Sequence, residues 1–160
     1  RVEHLYAIAD GEAVPEDGEP EIVFCTDEFG PLNVMPHPGR QWASRGGKHK
    51  DPGREPRRRR RATYSRYDGV RHLFAALDLA KDRLYGHIKP IKKRTQFLGF
   101  CRYLRTLCPP EIRIAIVCDT FSPHLTMKKC RRVGTWAAEN NVEIAYTPTD
   151  SSWLNRTEAQ

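Results

Sequence analysis

The feature that most constrains this chain is an apolar stretch that ends in a single acidic residue. Residues 112–118 read IRIAIVC, and Asp119 follows at once. A short apolar run bounded by turn signals is typical of a strand buried on both faces of a sheet. A carboxylate at the end of such a strand is costly unless another group compensates its charge. The chemistry of the chain therefore depends on which other side chains reach the same place.

A second apolar run delivers a second acid. Residues 22–25 read IVFC and lead to Asp27, after which Gly30 and Pro31 break the pattern. Strands joined through helices pair in parallel with right-handed crossovers, and ligands bind beyond the carboxyl ends of such strands. Asp27 and Asp119 are therefore predicted to face one crevice, each at the end of a buried strand.

The rest of the pattern predicts an α/β fold, a mixed sheet flanked by helices. Two β-capable runs around residues 80–82 predict a hairpin. A helix is predicted where Phe97, Phe100 or Cys101, Leu104 and Leu107 recur at helical spacing, and the two prolines at 109–110 end it. The weaker predictions are an irregular strand within 31–44, a helix over 126–140, a strand over 142–148, and a final helix capped by Ser151 or Ser152.

The same sequence patterns predict the domain organisation. Residues 1–20 are predicted to be a linker or the end of an upstream helix, and residues 21–160 a single domain whose last helix is cut short. No apolar run reaches the ~20 residues of a membrane helix, and no signal peptide is recognised. The five cysteines form no CxxC pair, which favours a reducing compartment and argues against a zinc site.

The charge of the chain is strongly segregated. Residues 1–30 hold one arginine and nine acids, whereas residues 40–61 hold ten basic and two acidic residues, and residues 81–105 hold eight and one. The stretch 44–61 contains no apolar residue apart from glycine and proline and is predicted to be a flexible basic loop. Such blocks indicate a polyanionic partner, most often nucleic acid, with a merely solvated loop as the alternative.

A third acid completes a candidate metal site. In a helix that starts near Ser152, Leu154 and Glu158 are four residues apart and share a face, so Glu158 is predicted to point at the strand ends. Carboxylate oxygens on a rigid edge suit Mg²⁺. The alternatives are an aspartate that only caps a turn and a glutamate that is only a surface acid. His124 is predicted either to orient phosphate or to cap. The acids predicted to be exposed or in turns are Glu28, Asp78, Asp82 and Glu143.

Four segments together resemble a known family: VFCTDEFGPLN, RRRATYSRYDGVRHLFAALDL, IVCDTFSPH and AYTPTDSSWLNRTEAQ. They are similar to the catalytic domain of bacterial insertion-sequence DDE transposases, the branch allied to mariner elements. The acids are in register, with 92 positions from Asp27 to Asp119 and 39 from Asp119 to Glu158. The chain departs from the family at Thr120, commonly asparagine, and at Thr157, commonly apolar.

The resemblance implies an RNase H-like fold in which Asp27, Asp119 and Glu158 are the catalytic residues and hold two Mg²⁺ ions, with Mn²⁺ as a substitute. It implies that water nicks a transposon end and that the freed 3′-hydroxyl then attacks target DNA, without a covalent enzyme intermediate. Two alternatives stay open: an RNase H-like nuclease without strand transfer, and an inactive remnant that only binds DNA.

The resemblance also implies partners. The loop 44–61 is similar to an insertion that contacts DNA or a partner subunit, so double-stranded DNA and a homodimer are expected. The setting it implies is the cytoplasm of a bacterium, with the protein held at the nucleoid through DNA. The residues expected to bind DNA are Arg57, Arg58, Arg59, Arg60, Arg61, Lys48, Lys50 and His124.

Overall fold

One mixed sheet organises the protein. The computed structural model describes residues 1–34, 66–127, 130–149 and 151–159, and within them the strand order is β3-β2-β1-β4-β5. β1 lies at the centre, antiparallel to β2 and parallel to β4, while β3 and β5 form the edges. The strands are β1 Ile22–Asn33, β2 Val70–Asp78, β3 Arg83–Lys89, β4 Ile114–Cys118 and β5 Val142–Tyr146.

Helices cover both faces of this sheet, because side chains alternate along each strand. The helices in the described ranges are α1 Val2–Ala9, α2 Arg94–Thr106 and α3 Arg132–Glu139. Cys25 and Val117 pack with α1 on one face. Phe24 and Ile116 pack with α2 and α3 on the other. The predicted fold class, an α/β, RNase H-like mixed sheet flanked by helices, is confirmed.

The strongest sequence patterns gave the right elements. All five residues of β4 are fully buried, as the apolar run predicted. The predicted hairpin is β2–β3, and the predicted strand over 142–148 is β5. In α2 the buried residues recur at the predicted spacing, and the helix ends at Thr106, before the prolines. None of the helices in the described parts of the chain is long and apolar enough to cross a membrane.

The prediction for β1 was wrong in its length. The strand continues past Asp27 to Asn33, so part of the irregular strand predicted within 31–44 belongs to β1. Asp27 pairs with Ala75 of β2 and therefore lies inside the strand, not at its end. The register shifts only between Phe29 and Leu32. The remainder of that prediction, like the basic loop 44–61, lies outside the described residues.

Two predicted helices also differ from the structure. The helix expected over 126–140 begins only at Arg132, because Met127 and Cys130 pair their backbones with each other in a tight turn. The final helix is instead two 3₁₀ helices, Ser152–Leu154 and Arg156–Ala159. The side chain of Asn155 interrupts it by accepting a hydrogen bond from the Thr157 N–H, a local competition that commonly breaks helices.

Gly30, at the register shift of β1, offers a test of this strand. Its φ is +139°, and an added Cβ would lie 2.9 Å from His72 Nδ1 and 3.1 Å from the Arg71 carbonyl oxygen. We expect Gly30→Ala to lower the free energy of unfolding by about 1–3 kcal/mol. In the matched variant, Gly99→Ala, nothing lies within 4 Å of the new Cβ. Because Gly99 is inside α2, that change should stabilise the protein by about 0.5–1 kcal/mol. Urea unfolding measures both, and equal stability of Gly30→Ala and the wild type would contradict the expectation.

Candidate functional site

Parallel pairing brings two of the predicted acids to one place. The β1–β4 ladder ends with Cys25 opposite Val117, and Asp27 and Asp119 each lie two residues further along. β4 ends at Cys118, whereas β1 continues beside β2. Asp119 therefore lies just beyond the end of β4, beside Asp27 of β1. The predicted convergence of the two acids at one sheet edge agrees with this register.

The third predicted acid arrives through the segment 151–159, which we call the carboxy-terminal segment. Asn155 donates a hydrogen bond to the Thr26 carbonyl at 2.8 Å, and the Thr157 hydroxyl donates one to the Cys25 carbonyl at 2.6 Å. These carbonyls belong to the residues just before Asp27. Glu158 follows directly and is exposed. Leu154 and Glu158 do not share one continuous helix face, so the position of Glu158 depends on these anchors instead.

The negative charges of Asp119 and Glu158 act on Asp27. The pKa of Asp27 is raised to about 6, first by burial and then by the negative charges of Glu158, Asp119 and Glu28. One hydrogen bond opposes this rise, because the Glu28 N–H donates to Asp27 Oδ1 at 2.7 Å. Burial and like charge both favour the protonated form of a carboxylate, so a group with this combination is a candidate member of a functional site.

Asp119 is in the opposite electrostatic state. Its Oδ1 pairs with His124 Nδ1 at 2.7 Å and accepts a hydrogen bond from the Phe121 N–H at 3.1 Å. His124 Nδ1 is also hydrogen-bonded to the Asp119 backbone carbonyl at 3.2 Å. The bond from His124 is the main cause of a pKa below the usual range for Asp119. Oδ2 takes part in neither bond, and the side chain remains about two-fifths exposed. Asp119 is therefore ionised and oriented in the folded protein.

His124 is a buried link between two acids and not a surface residue. Its Nε2 is hydrogen-bonded to Glu28, and its side chain is 1% exposed. Burial would lower the pKa of His124, but the bonds to Asp119, Cys118 and Glu28 raise it well above the usual range. The prediction that His124 binds DNA is therefore wrong for direct contact. The prediction that Glu28 is exposed is also wrong, since its side chain is 4% exposed.

The loop that carries Asp119 and His124 is fastened from several sides. The His124 ring packs on Phe97 of α2, with centroids 4.2 Å apart. The Tyr146 hydroxyl donates to the His124 carbonyl at 3.0 Å, and Arg94 donates to the Ser122 carbonyl at 2.8 Å. Asp119 is thus held from α2, β5 and β1 together.

The other acids predicted to be exposed or in turns are Asp78, Asp82 and Glu143. Asp78 is fully buried and is a turn residue, since its Oδ1 accepts hydrogen bonds from the N–H groups of Ala80 and Lys81. Asp82 is exposed in that turn. The prediction is wrong for Glu143, which lies within β5, is half-buried and forms ion pairs with Arg1.

The predicted basic surface is accounted for only in part. The five arginines 57–61, Lys48 and Lys50 lie outside the described residues. Within the second basic stretch, 81–105, some cations support the fold: Arg105 donates to the Ile112 carbonyl at 2.9 Å and to the Cys108 carbonyl at 3.0 Å. Lys92 lies over the Phe121 ring, 4.8 Å from its centroid, beside the loop that carries Asp119.

The donor set of the site is that of a hard cation, although the side chains do not form a ready-made cage. In the described ranges no three His, Cys, Asp or Glu side chains are arranged to hold a metal ion as they stand. The three acids offer only carboxylate oxygens, which Mg²⁺ prefers. Their mutual repulsion at Asp27 is of the kind that a divalent cation relieves.

Comparison with known proteins adds little to this geometry. No protein-family model matches the chain, and no curated protein matches it significantly. Among solved structures, it is similar to a chain in the cryo-EM structure of the simian T-cell lymphotropic virus intasome in complex with the PP2A regulatory subunit B56 gamma. The two chains are 10% identical with a TM-score of 0.44, and the match covers 58% of this chain and 33% of that one. The chain thus spans about a third of the length of the matched chain, and a likeness of this degree assigns neither family nor function.

The pKa of Asp27 leads to a prediction about stability. Because its pKa is about 6 when folded and 3.8 ordinarily, ionisation destabilises the folded state, progressively between about pH 4 and pH 6 and fully above that range. We expect Asp27→Asn to raise the free energy of unfolding by about 1–2 kcal/mol at pH 7.5 without added metal, and by nothing below pH 4. Denaturant unfolding across this pH range measures the difference. The exposed control Asp17→Asn should show no such gain, and a destabilised Asp27→Asn at pH 7.5 would contradict the expectation.

The buried link through His124 leads to a second prediction. His124→Ala leaves the Glu28 carboxylate buried without its cationic partner, so we expect a loss of about 3–5 kcal/mol in unfolding free energy at pH 6. Because the pKa of His124 is raised on folding, its stabilisation is complete below the unfolded value, near 6.5, and is lost as the pH rises above it. The gap between wild type and variant should therefore narrow between pH 7 and pH 10.

A double variant separates the ion pair from packing. In Glu28→Gln/His124→Ala no buried carboxylate is left unpaired at position 28, so the double variant should be more stable than the sum of the two single losses predicts. Chemical unfolding of the four proteins gives the coupling energy. Strictly additive losses, or a gap that is constant with pH, would show that His124 acts through its ring packing alone.

Proposed function

We propose that this chain is the catalytic domain of a DDE transposase of the bacterial insertion-sequence kind, which cuts DNA at transposon ends and joins the 3′-hydroxyl to target DNA. The observation that carries the proposal is the shared register of Asp27 and Asp119 on neighbouring parallel strands, with Glu158 close enough to raise the pKa of Asp27. Carboxylates from three distant parts of the chain have little reason to converge for folding alone, since their repulsion is unfavourable.

Mg²⁺ is the proposed cofactor, with Asp27, Asp119 and Glu158 as its ligands and Mn²⁺ as a substitute. When bound in pairs, such ions stabilise the attacking and leaving oxygens of an in-line phosphoryl displacement. The carboxylate-only donor set and the negative charges of Glu158 and Asp119 that act on the buried Asp27 support this assignment. Because Oδ1 of Asp119 already bonds to His124 and Phe121, Oδ2 is the oxygen proposed to face a ligand.

The remaining residues of the site have supporting roles in this proposal. His124 and the Phe121 N–H hold the Asp119 carboxylate in one orientation. Glu28 holds His124 from the opposite side. Partners that orient a metal ligand typically contribute about 10–100-fold to metal affinity or activity when removed. None of these groups needs to act as a nucleophile.

Double-stranded DNA is the proposed substrate and a homodimer the proposed assembly. The net charge of +7 and the two basic stretches support a polyanionic partner. The basic residues from Lys48 to Arg61 are proposed to contact phosphates, so affinity should fall steeply with salt. Lys92 adds a described cation beside the loop that carries Asp119.

A second candidate is favoured by a specific observation. No three side chains in the described part of the protein form a ready-made metal group, and Glu158 is exposed on a short 3₁₀ helix. This arrangement would suit a remnant that binds DNA through its basic surface without cutting it. An RNase H-like nuclease without strand transfer would share the site with the transposase and differ only in the fate of the cut end.

The proposal is tested by nicking of supercoiled plasmid in Mg²⁺ or Mn²⁺. We expect Asp27→Ala and Asp119→Ala each to reduce nicking to background while DNA binding, measured by band shift in EDTA, survives. The control Glu111→Gln removes an exposed acid near the opposite end of β4 and should keep wild-type activity.

Three outcomes separate the candidates. Nicking that persists in both aspartate variants would reject the proposed carboxylate site. No cleavage by the wild type, with salt-sensitive binding intact, would favour the binding-only remnant. Joining of a pre-cut oligonucleotide end to plasmid would distinguish a transposase from a simple nuclease.

A further inference from the structure

The carboxy-terminal segment is held on its outer side by helix α1. Arg156 donates two hydrogen bonds to the carboxylate of Asp10, both at 2.6 Å. The same guanidinium lies over the Tyr6 ring, 4.3 Å from its centroid. The Tyr6 hydroxyl donates to the Leu154 carbonyl at 2.6 Å. Tyr6 of α1 therefore contacts both 3₁₀ helices of the segment, and Asp10, the cap of α1, contacts the second.

The inner side of the segment is fixed directly to β1. Asn155 and Thr157 are each 2% exposed and bond to carbonyls of β1, as described above. The Cys25 thiol donates to the Tyr6 hydroxyl at 3.4 Å, so Tyr6 contacts β1 and the segment together. The segment is thus enclosed between α1 and the strand that carries Asp27.

The segment has little stability of its own. Its two 3₁₀ helices are three and four residues long, and helices of this length are marginal in water without tertiary partners. Glu158 itself is exposed, so burial of its own side chain does not fix it. Its position therefore depends on the anchored residues before it: Asn155 and Thr157, which bond to β1, and Arg156, which pairs with Asp10.

We propose that Asp10, Tyr6 and Arg156 are positioning residues for Glu158, so that α1 is part of the functional apparatus and not a linker. The role given to Glu158 rests on the proposed function, whereas the fastening of the segment by α1 does not. A bidentate arginine–carboxylate pair fixes geometry as well as charge, and a lysine cannot reproduce it. Loss of the Asp10–Arg156 pair frees the end of the segment that carries Glu158, while the apolar clusters on the two faces of the sheet stay packed.

The test uses charge exchange at the Asp10–Arg156 pair. Asp10→Arg and Arg156→Asp each place like charges together, and we expect faster amide hydrogen exchange at residues 154–158 in each variant. The double exchange, Asp10→Arg with Arg156→Asp, restores opposite charges and should slow that exchange towards the wild type. Arg156→Lys should lie between Arg156→Asp and the wild type. The unfolding midpoint should change little, because both side chains are partly exposed.

Mn²⁺ affinity, measured by electron paramagnetic resonance, reports whether the fastening matters to the site. We expect each single exchange to weaken Mn²⁺ binding by roughly tenfold and the double exchange to recover most of it. The matched controls are Asp17→Arg, an exposed acid just beyond α1, and Arg83→Gln, an arginine that lies over the Tyr85 ring on β3. Neither control should alter exchange at 154–158 or Mn²⁺ affinity.

The outcomes separate this inference from the proposed function. Unchanged amide exchange at 154–158 in both single variants would overturn the inference, whatever the metal affinity. Faster exchange that the double variant does not slow would also overturn it, because the effect would then not come from the pair. If the wild type does not bind Mn²⁺, or Glu158→Gln binds it equally well, the proposed metal site fails, while the exchange data still decide whether α1 holds the segment.

Discussion

Parallel pairing of β1 with β4 is the constraint on which the rest of the structure depends. The register that sets Cys25 of β1 opposite Val117 of β4 also sets Asp27 and Asp119 side by side. Each of these acids lies two residues beyond this last β1–β4 pair. β4 is fully buried, so a slip of its register by one residue would exchange its two apolar faces and disturb both cores. The packing that stabilises the sheet therefore also fixes the position of the acids.

The fold was predictable where one pattern dominated and not where local groups competed. The apolar run predicts β4, the helical spacing predicts α2, and the turn predicts the β2–β3 hairpin. In each case tertiary packing agrees with the local pattern. The carboxy-terminal helix was mispredicted because periodicity does not report that the Asn155 side chain bonds to Thr26 and Thr157. The start of α3 was mispredicted because a backbone pair between Met127 and Cys130 ends helical bonding there.

The candidate site was predictable in its acids and not in their supports. The order of strands and acids predicts that Asp27 and Asp119 lie together, but it places Glu28 among the exposed or turn acids. The signal that was available is alternation: Glu28 lies four residues from Phe24 and so faces α2. Thr157 departs from the apolar residue that the resemblance implies, and its hydroxyl bonds to the Cys25 carbonyl at 2.6 Å. No pattern in the chain reports a partner 132 residues away.

Adjacent acids on β1 meet opposite electrostatic conditions because they face opposite sides of the sheet. Glu28 faces α2, where His124 supplies a buried cation and links it to Asp119. Asp27 faces α1, where burial, and after it the negative charges of Glu158 and Asp119, raise its pKa. A charge that is compensated inside the protein serves the fold, whereas one left in excess at an accessible edge favours a ligand of opposite charge. The α1 face, and not the α2 face, is therefore the side on which a cation would stabilise this sheet edge.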